Sequence, residues 1–235
     1  VIDEIDTSSP RAALAIRLSD AIRRRWPADV QAIGVRGSVA HGDDSQTSDV
    51  NLIVLTYRPR TGPKPTLRKV DGIPVELRVL AAGQALIQSR LLTPRWPLLA
   101  DRYLTTFALH DPTGCFQEQR EAHQHLLTEA RPVEFTQLAR LSWATANGAR
   151  QRAVRLTHGS DTESALVMIA EARVYAALVA GSLTRTWFRN VADAVKRTGV
   201  AAADMQELGA ILKYQADELA ARGRPVDGTL DALFD

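Results

Sequence analysis

Gln31-Ala32-Ile33-Gly34-Val35-Arg36-Gly37-Ser38, followed after a short spacer by Ser48-Asp49-Val50-Asn51-Leu52, is the stretch whose reading decides the fold. The first part reads as a strand that runs into a glycine-serine turn opening a helix. The second is a strand whose first residues project polar groups toward the mouth of that turn. In an extended strand Asp49 and Asn51 share one side, roughly 7 Å apart, while Val50, Leu52 and Val54 take the other. A third segment, Ile73-Pro74-Val75-Glu76-Leu77-Arg78-Val79, alternates apolar residues with Glu76 and Arg78. Glu76 is therefore expected to meet Asp49 on a shared sheet face.

This pattern resembles the nucleotidyltransferase superfamily, whose signature joins a Gly-Ser turn to an Asp-x-Asp or Asp-x-Glu strand and a further acid on a later strand. The resemblance implies that Asp49 and Glu76 are catalytic carboxylates holding Mg2+. It implies that Gly37, Ser38 and Ser48 receive the phosphates of a nucleoside triphosphate (NTP). Asn51 departs from the signature: a neutral amide offers a metal one carbonyl oxygen without charge, so it counts as a weak ligand. Within the superfamily the chain is most similar to the kanamycin nucleotidyltransferases, along Gln31–Ser38, Ser48-Asp49-Val50, Val75-Glu76-Leu77, Trp96-Pro97-Leu98 and Asn190–Lys196. That likeness implies an α/β domain with a mixed sheet, then a C-terminal antiparallel helical bundle, and a homodimer. It also implies a glutamate base and a phosphate-contacting lysine on the first long bundle helix. The matching stretch, Leu141-Ser142-Trp143-Ala144-Thr145-Ala146-Asn147-Gly148-Ala149, contains neither, and Glu134 is the acid nearest by.

Length and composition fit this reading. The 235 residues suffice for one large or two small domains, and 45% hydrophobic with 24% charged residues is ordinary for a globular chain. A net charge of +2 favours a small anionic ligand over a nucleic acid polymer. Cys115 is the only cysteine, which excludes a disulfide framework and fits a cytoplasmic location. The acidic first residues lack the pattern of a signal peptide, and no stretch reads as long and apolar enough to span a membrane.

Along the chain, helical spacing predicts a helix over Pro10–Trp26 with Ser9 as its cap, then strands over Val30–Arg36 and Asp49–Leu55. The run Arg58–Pro65 reads as a proline-rich loop leading into Lys69–Leu80. A helix follows over Ala81–Leu92 and a last strand over Tyr103–His110. The first domain is set at 1–117 and the helical bundle at 118–235. Within the bundle a helix breaks around Pro132, Ser160-Asp161-Thr162-Glu163 reads as a capping box, and further helices cover Thr186–Thr198 and Ala203–Arg222. His41 reads as a solvated turn residue, His123 and His125 as unlikely metal partners, and Tyr175, Trp187 and Phe188 as core.

Two functions remain open. In the first, the chain is a divergent, nominally metal-dependent nucleotidyltransferase acting on a hydroxylated small molecule, an aminoglycoside or another natural product. In the second, the scaffold has left nucleotidyl transfer and binds or transforms a natural-product intermediate in the interdomain cleft. Arg78, on the Glu76 face, can take the electrostatic place of a metal. Asn51 reads as natural divergence or as an engineered replacement of Asp, and the missing bundle acid and lysine favour divergence.

Overall fold

The computed structural model describes residues 5–228. They form two compact units: residues through Leu91 with Asp101–Glu129, and Leu92–Ala100 with the chain from Ala130 onward. The boundary expected at 117/118 thus falls inside a helix of the first unit.

The first unit opens with α1 (Pro10–Arg25), whose N-cap Ser9 accepts from the amides of Arg11 and Ala12. Its sheet comprises β1 (Val30–Arg36), β2 (Val50–Thr56), β3 (Thr66–Val70), β4 (Ile73–Ala81) and β5 (Phe107–His110). The order is β3-β4-β2-β1-β5; β2 and β4 run parallel, and the other neighbours antiparallel. One face carries Val35, Leu52, Val75 and, farther along, Ile33 and Val54, packed with Leu14, Ala15 and Ile22 of α1. On the other face Ala32, Ile53 and Leu55 pack with Ala85 of α3 (Ala82–Ser89) and with Cys115 and Phe116 of α5 (Cys115–Glu129). Burial of each valine, leucine, isoleucine or phenylalanine among them contributes about 1.5–3 kcal/mol. Between β1 and β2 lies the short α2 (Ser38–His41), opened by Gly37 at φ +70°, a left-handed conformation that suits glycine.

Several elements differ from their sequence reading. Lys69–Leu80 is not continuous: Asp71 and Gly72, at φ 52° and 77°, turn β3 into β4 as an Asp-Gly hairpin. The strand expected over Tyr103–His110 is shortened by α4 (Trp96–Leu104), after which Thr105 Oγ1 donates to the carbonyl of Asp101.

The second unit contains α6 (Pro132–His158), α7 (Thr162–Thr184), α8 (Val191–Arg197) and α9 (Met205–Ala221). Short side chains let α6 and α7 approach closely: Ala146 and Ala149 pack with Ala172, Ala176 and Ala177, together with Phe188 and Leu208. The cap of α7 is Asp161, which accepts from the Ser164 amide, because Ser160 sits at φ 63° outside the helix. α8 begins only at Val191, after its cap Asn190, and α9 after the Asp204–Glu207 capping box. Gly199 and Gly223 follow these helices at φ 75° and 73°. One expectation is corrected: α7, with a mean hydropathy of 1.6, is long and apolar enough by length and composition to cross a membrane. A mixed sheet with helices, followed by a helical C-terminal part, is the architecture the chain adopts.

Candidate functional site

Register places the polar residues. Arg36 pairs with Asn51 across β1 and β2, and Asn51 pairs with Glu76 across β2 and β4. Directly opposed residues project to the same side of a sheet, so Arg36, Asn51 and Glu76 form one row. Asp49 and Arg78, each two residues from a member of the row, share its side. The next row is Gly34, Ile53 and Arg78, so the polar row borders the apolar packing under α5.

Within the row the carboxylates are already engaged. Asn51 Nδ2 donates to Asp49 Oδ1 at 3.0 Å. An ionised carboxylate can only accept, so the amide turns its NH2 toward it. Arg78 Nε donates to Glu76 Oε1 at 2.7 Å. That pair is open to solvent, which limits its contribution to about 1 kcal/mol or less; its consequence is orientation.

The turn and the approach to β2 are held from α1. Arg11, largely buried, donates Nε to the Ser48 carbonyl at 2.6 Å and Nη2 to the Gln46 carbonyl. Ser9 Oγ donates to Asp44 Oδ2 at 2.5 Å, and Ser48 Oγ accepts the Ser45 amide at 2.9 Å. Asp49 is thereby fixed by the backbone on its N-terminal side. Gly37 faces Asn51 so closely that a Cβ there would stand 3.3 Å from Nδ2.

Arg36 shares the polar row although the sequence reading did not single it out. Its Nε donates to Thr106 Oγ1 at 2.9 Å, and Thr106 Oγ1 donates in turn to the Arg102 carbonyl. Burial pushes the guanidinium down to about 10; Arg102 and Arg78 push the same way, while Tyr103 and Asp101 oppose them. Tyr103 is raised by its own burial, with Arg36 and Arg102 opposing, and its ring lies 4.9 Å from that of His123. Arg36 lies on the last residue of β1, and its alternation with Gly34 and Ala32 was the available signal. Which strand face they shared with Asn51 depended on a register the sequence does not state.

His41 differs from its reading as a solvated residue. Its Nε2 lies 3.0 Å from Asp101 Oδ1, and the side chains are only 11% and 7% exposed. His123 is buried, with Nδ1 donating to the Ser89 carbonyl at 2.7 Å. Among the described residues no group of three or more His, Cys, Asp or Glu is placed to hold a metal ion. Glu134 is the N3 residue of α6, its side chain accepting from the amide of the N-cap Arg131 at 2.7 Å. Phe188 is core, with Tyr175 packed partly buried against the same cluster.

No family model and no curated protein matches the chain. Among solved structures it is similar to a nucleotidyltransferase-like protein from Exiguobacterium sibiricum 255-15. The two share 15% identity and a TM-score of 0.45, over 89% of this chain and 74% of that one. A likeness so remote carries nothing about activity, which has to be read from the residues themselves.

Proposed function

We propose that this chain is a nucleotidyltransferase-type scaffold that has left metal-bridged nucleotidyl transfer, and that its polar sheet face binds a small molecule. The signature-like Gly37-Ser38 turn and the row Asn51–Glu76 support the scaffold. The observation that carries the departure is the neutral Asn51 between the two acids, donating to Asp49 at 3.0 Å, and the weak Arg78 to Glu76 ion pair at 2.7 Å adds to it. A metal bridging nucleotide phosphates needs carboxylates that face each other and stay free to ligate. Here one carboxylate holds a guanidinium, the other accepts an amide N–H, and Arg36 brings a further positive charge to the row. Such a donor set fits Mg2+ poorly.

The chain's own residues then act as binders. Asn51 and Asp49 form a fixed donor-acceptor pair for a ligand hydroxyl. Arg78, oriented by Glu76, and Arg36, oriented by Thr106, supply directed N–H groups. Calorimetric titration with each nucleoside triphosphate and Mg2+ tests this reading, with Asp49→Ala alongside the parent. No metal-dependent nucleotide binding is expected in either protein. Micromolar binding by the parent that is abolished in Asp49→Ala would establish the competing reading, an active nucleotidyltransferase.

A further inference from the structure

Asp49 and Glu76 balance Arg36 and Arg78 in formal charge along the polar row, but the pairing is uneven and leaves Arg36 without a carboxylate partner. Glu76 neutralises Arg78, and Asp49 Oδ1 is occupied by the Asn51 amide. Arg36 uses only Nε, on the neutral hydroxyl of Thr106, and makes no ion pair with a carboxylate among the described residues. The forked end of its guanidinium thus retains donors without an acceptor there. A half-buried cation placed beside two further arginines is costly, and its lowering to about 10 reports that cost. A bound oxyanion would reverse each contribution: it would supply the missing acceptor, offset the desolvation and screen Arg102 and Arg78.

The row is also prepared for such a ligand. Thr106, 2% exposed and anchored to the Arg102 carbonyl, holds the Arg36 fork at a fixed angle. Arg78 spends Nε on Glu76 and leaves its two Nη groups for another acceptor. Orientation before binding reduces the entropy lost on association, and guanidinium forks match the two oxygens of a carboxylate or phosphate.

We propose that Arg36 and Arg78, on either side of Asn51, form a metal-free receptor for an oxyanion group, a carboxylate or a phosphate, carried by the small-molecule ligand. The proposal deepens the reading above and rests on it. Arg78 stands in for the divalent cation that a phosphate would otherwise require, and Arg36 provides the second positive contact.

The test uses the full chain with 15N-labelled arginine in chelator-containing buffer, titrated separately with inorganic phosphate, pyrophosphate and succinate. The Nε–H resonances of Arg36 and Arg78 are expected to shift saturably with at least one probe. A response confined to the phosphates assigns a phosphorylated ligand, and one confined to succinate a carboxylated ligand. Arg36→Gln should weaken binding about tenfold or more, the loss expected for a charged hydrogen bond. Arg36→Lys should weaken it less. Arg17→Gln, which removes an exposed arginine paired to Asp71, should leave it unchanged. Should Arg36→Gln not fold, the parent resonances decide.

Failure of both resonances to move with any probe would overturn the proposal, as would equal affinity in a folded Arg36→Gln. A parallel titration with Mg2+ and nucleoside triphosphate keeps the two readings apart. Metal-dependent nucleotide binding defeats the loss of transfer, whereas silent resonances in a protein that ignores magnesium and nucleotide defeat only the receptor.

Discussion

Gly34→Ala probes the link between the apolar packing under α5 and the arginine above it. A Cβ at Gly34 would stand 2.6 Å from Thr106 Cγ2 and 2.9 and 3.0 Å from Cζ and Cε2 of Phe116. Neither neighbour has easy room to retreat. Phe116 is 3% exposed and packed with Ala32, Ile53 and Ala85, while Thr106 is tied through Oγ1 to Arg102 and Arg36. Overpacking a core costs typically about 1–3 kcal/mol. Stiffening the unfolded chain returns about 0.4–1 kcal/mol, which leaves about 0–2.6 kcal/mol, and with neither neighbour able to retreat a net loss of about 1–2 kcal/mol is expected. For a chain of this size that lowers Tm by about 2–8 °C. Because Thr106 must move, Arg36 Nε also loses its acceptor, and the Arg36 Nε–H resonance should shift or broaden. Urea denaturation and the arginine spectrum are measured on the same samples. A variant with parental stability and an unchanged Arg36 resonance would refute both the close approach of β1 to Phe116 and the anchoring of Arg36 through Thr106.

Asn51→Asp is expected to restore no nucleotidyl transfer, because Glu76 remains bound to Arg78 and 141–149 still offers neither acid nor lysine; a clear gain of transfer with Mg2+ and NTP would overturn this. Arg78→Gln should release Glu76 and raise Mg2+ affinity several-fold, to on the order of a salt-bridge contribution, read by calorimetry; unchanged affinity would show that Arg78 does not mask the carboxylate. Asp204→Ala removes the cap that accepts from the Gln206 and Glu207 amides and should cost about 1 kcal/mol in urea denaturation. Burial lowers His123 below its ordinary value. The unfolded chain therefore takes up a proton that the folded chain refuses, so this contribution is complete above about pH 6.5 and falls as pH drops toward the folded value. His123→Gln should flatten the stability profile between about pH 8 and about pH 5, and an equally steep profile would assign the dependence elsewhere.

The alternation in Val50–Val54 and Ile73–Val79 made the polar face legible, because a strand with one buried side leaves no freedom about which residues face out. The Gly37 turn was legible for a similar reason, since its φ of +70° suits few other residues. Asp71-Gly72 was equally plain in the sequence, yet a single extended reading of Lys69–Leu80 overlooked it. The strand reading of Tyr103–His110 began too early because Tyr103 and Leu104 suit either secondary structure, and α4 continues through Leu104 before β5 starts at Phe107. The His41–Asp101 and Arg36–Thr106 partners lie 60 and 70 residues apart, and no local pattern connects them. The polar row was thus legible in Asp49, Asn51, Glu76 and Arg78, and Arg36 was hidden because its place in the row depends on strand register.

The chain passes from one compact unit to the other at 91/92, returns at 100/101, and leaves again at 129/130. Trp96, which meets Phe135 edge-on at 5.2 Å, and Pro97, whose carbonyl accepts the Phe188 amide, are supplied to the helical unit from the middle of the sheet unit's sequence. A fragment starting at residue 130 would lack both, and one stopping at residue 91 would lack β5 and α5. Recombination at one crossover therefore cannot exchange either unit intact. Three junctions must be preserved together, which makes the pair a single module for inheritance and for chimera design.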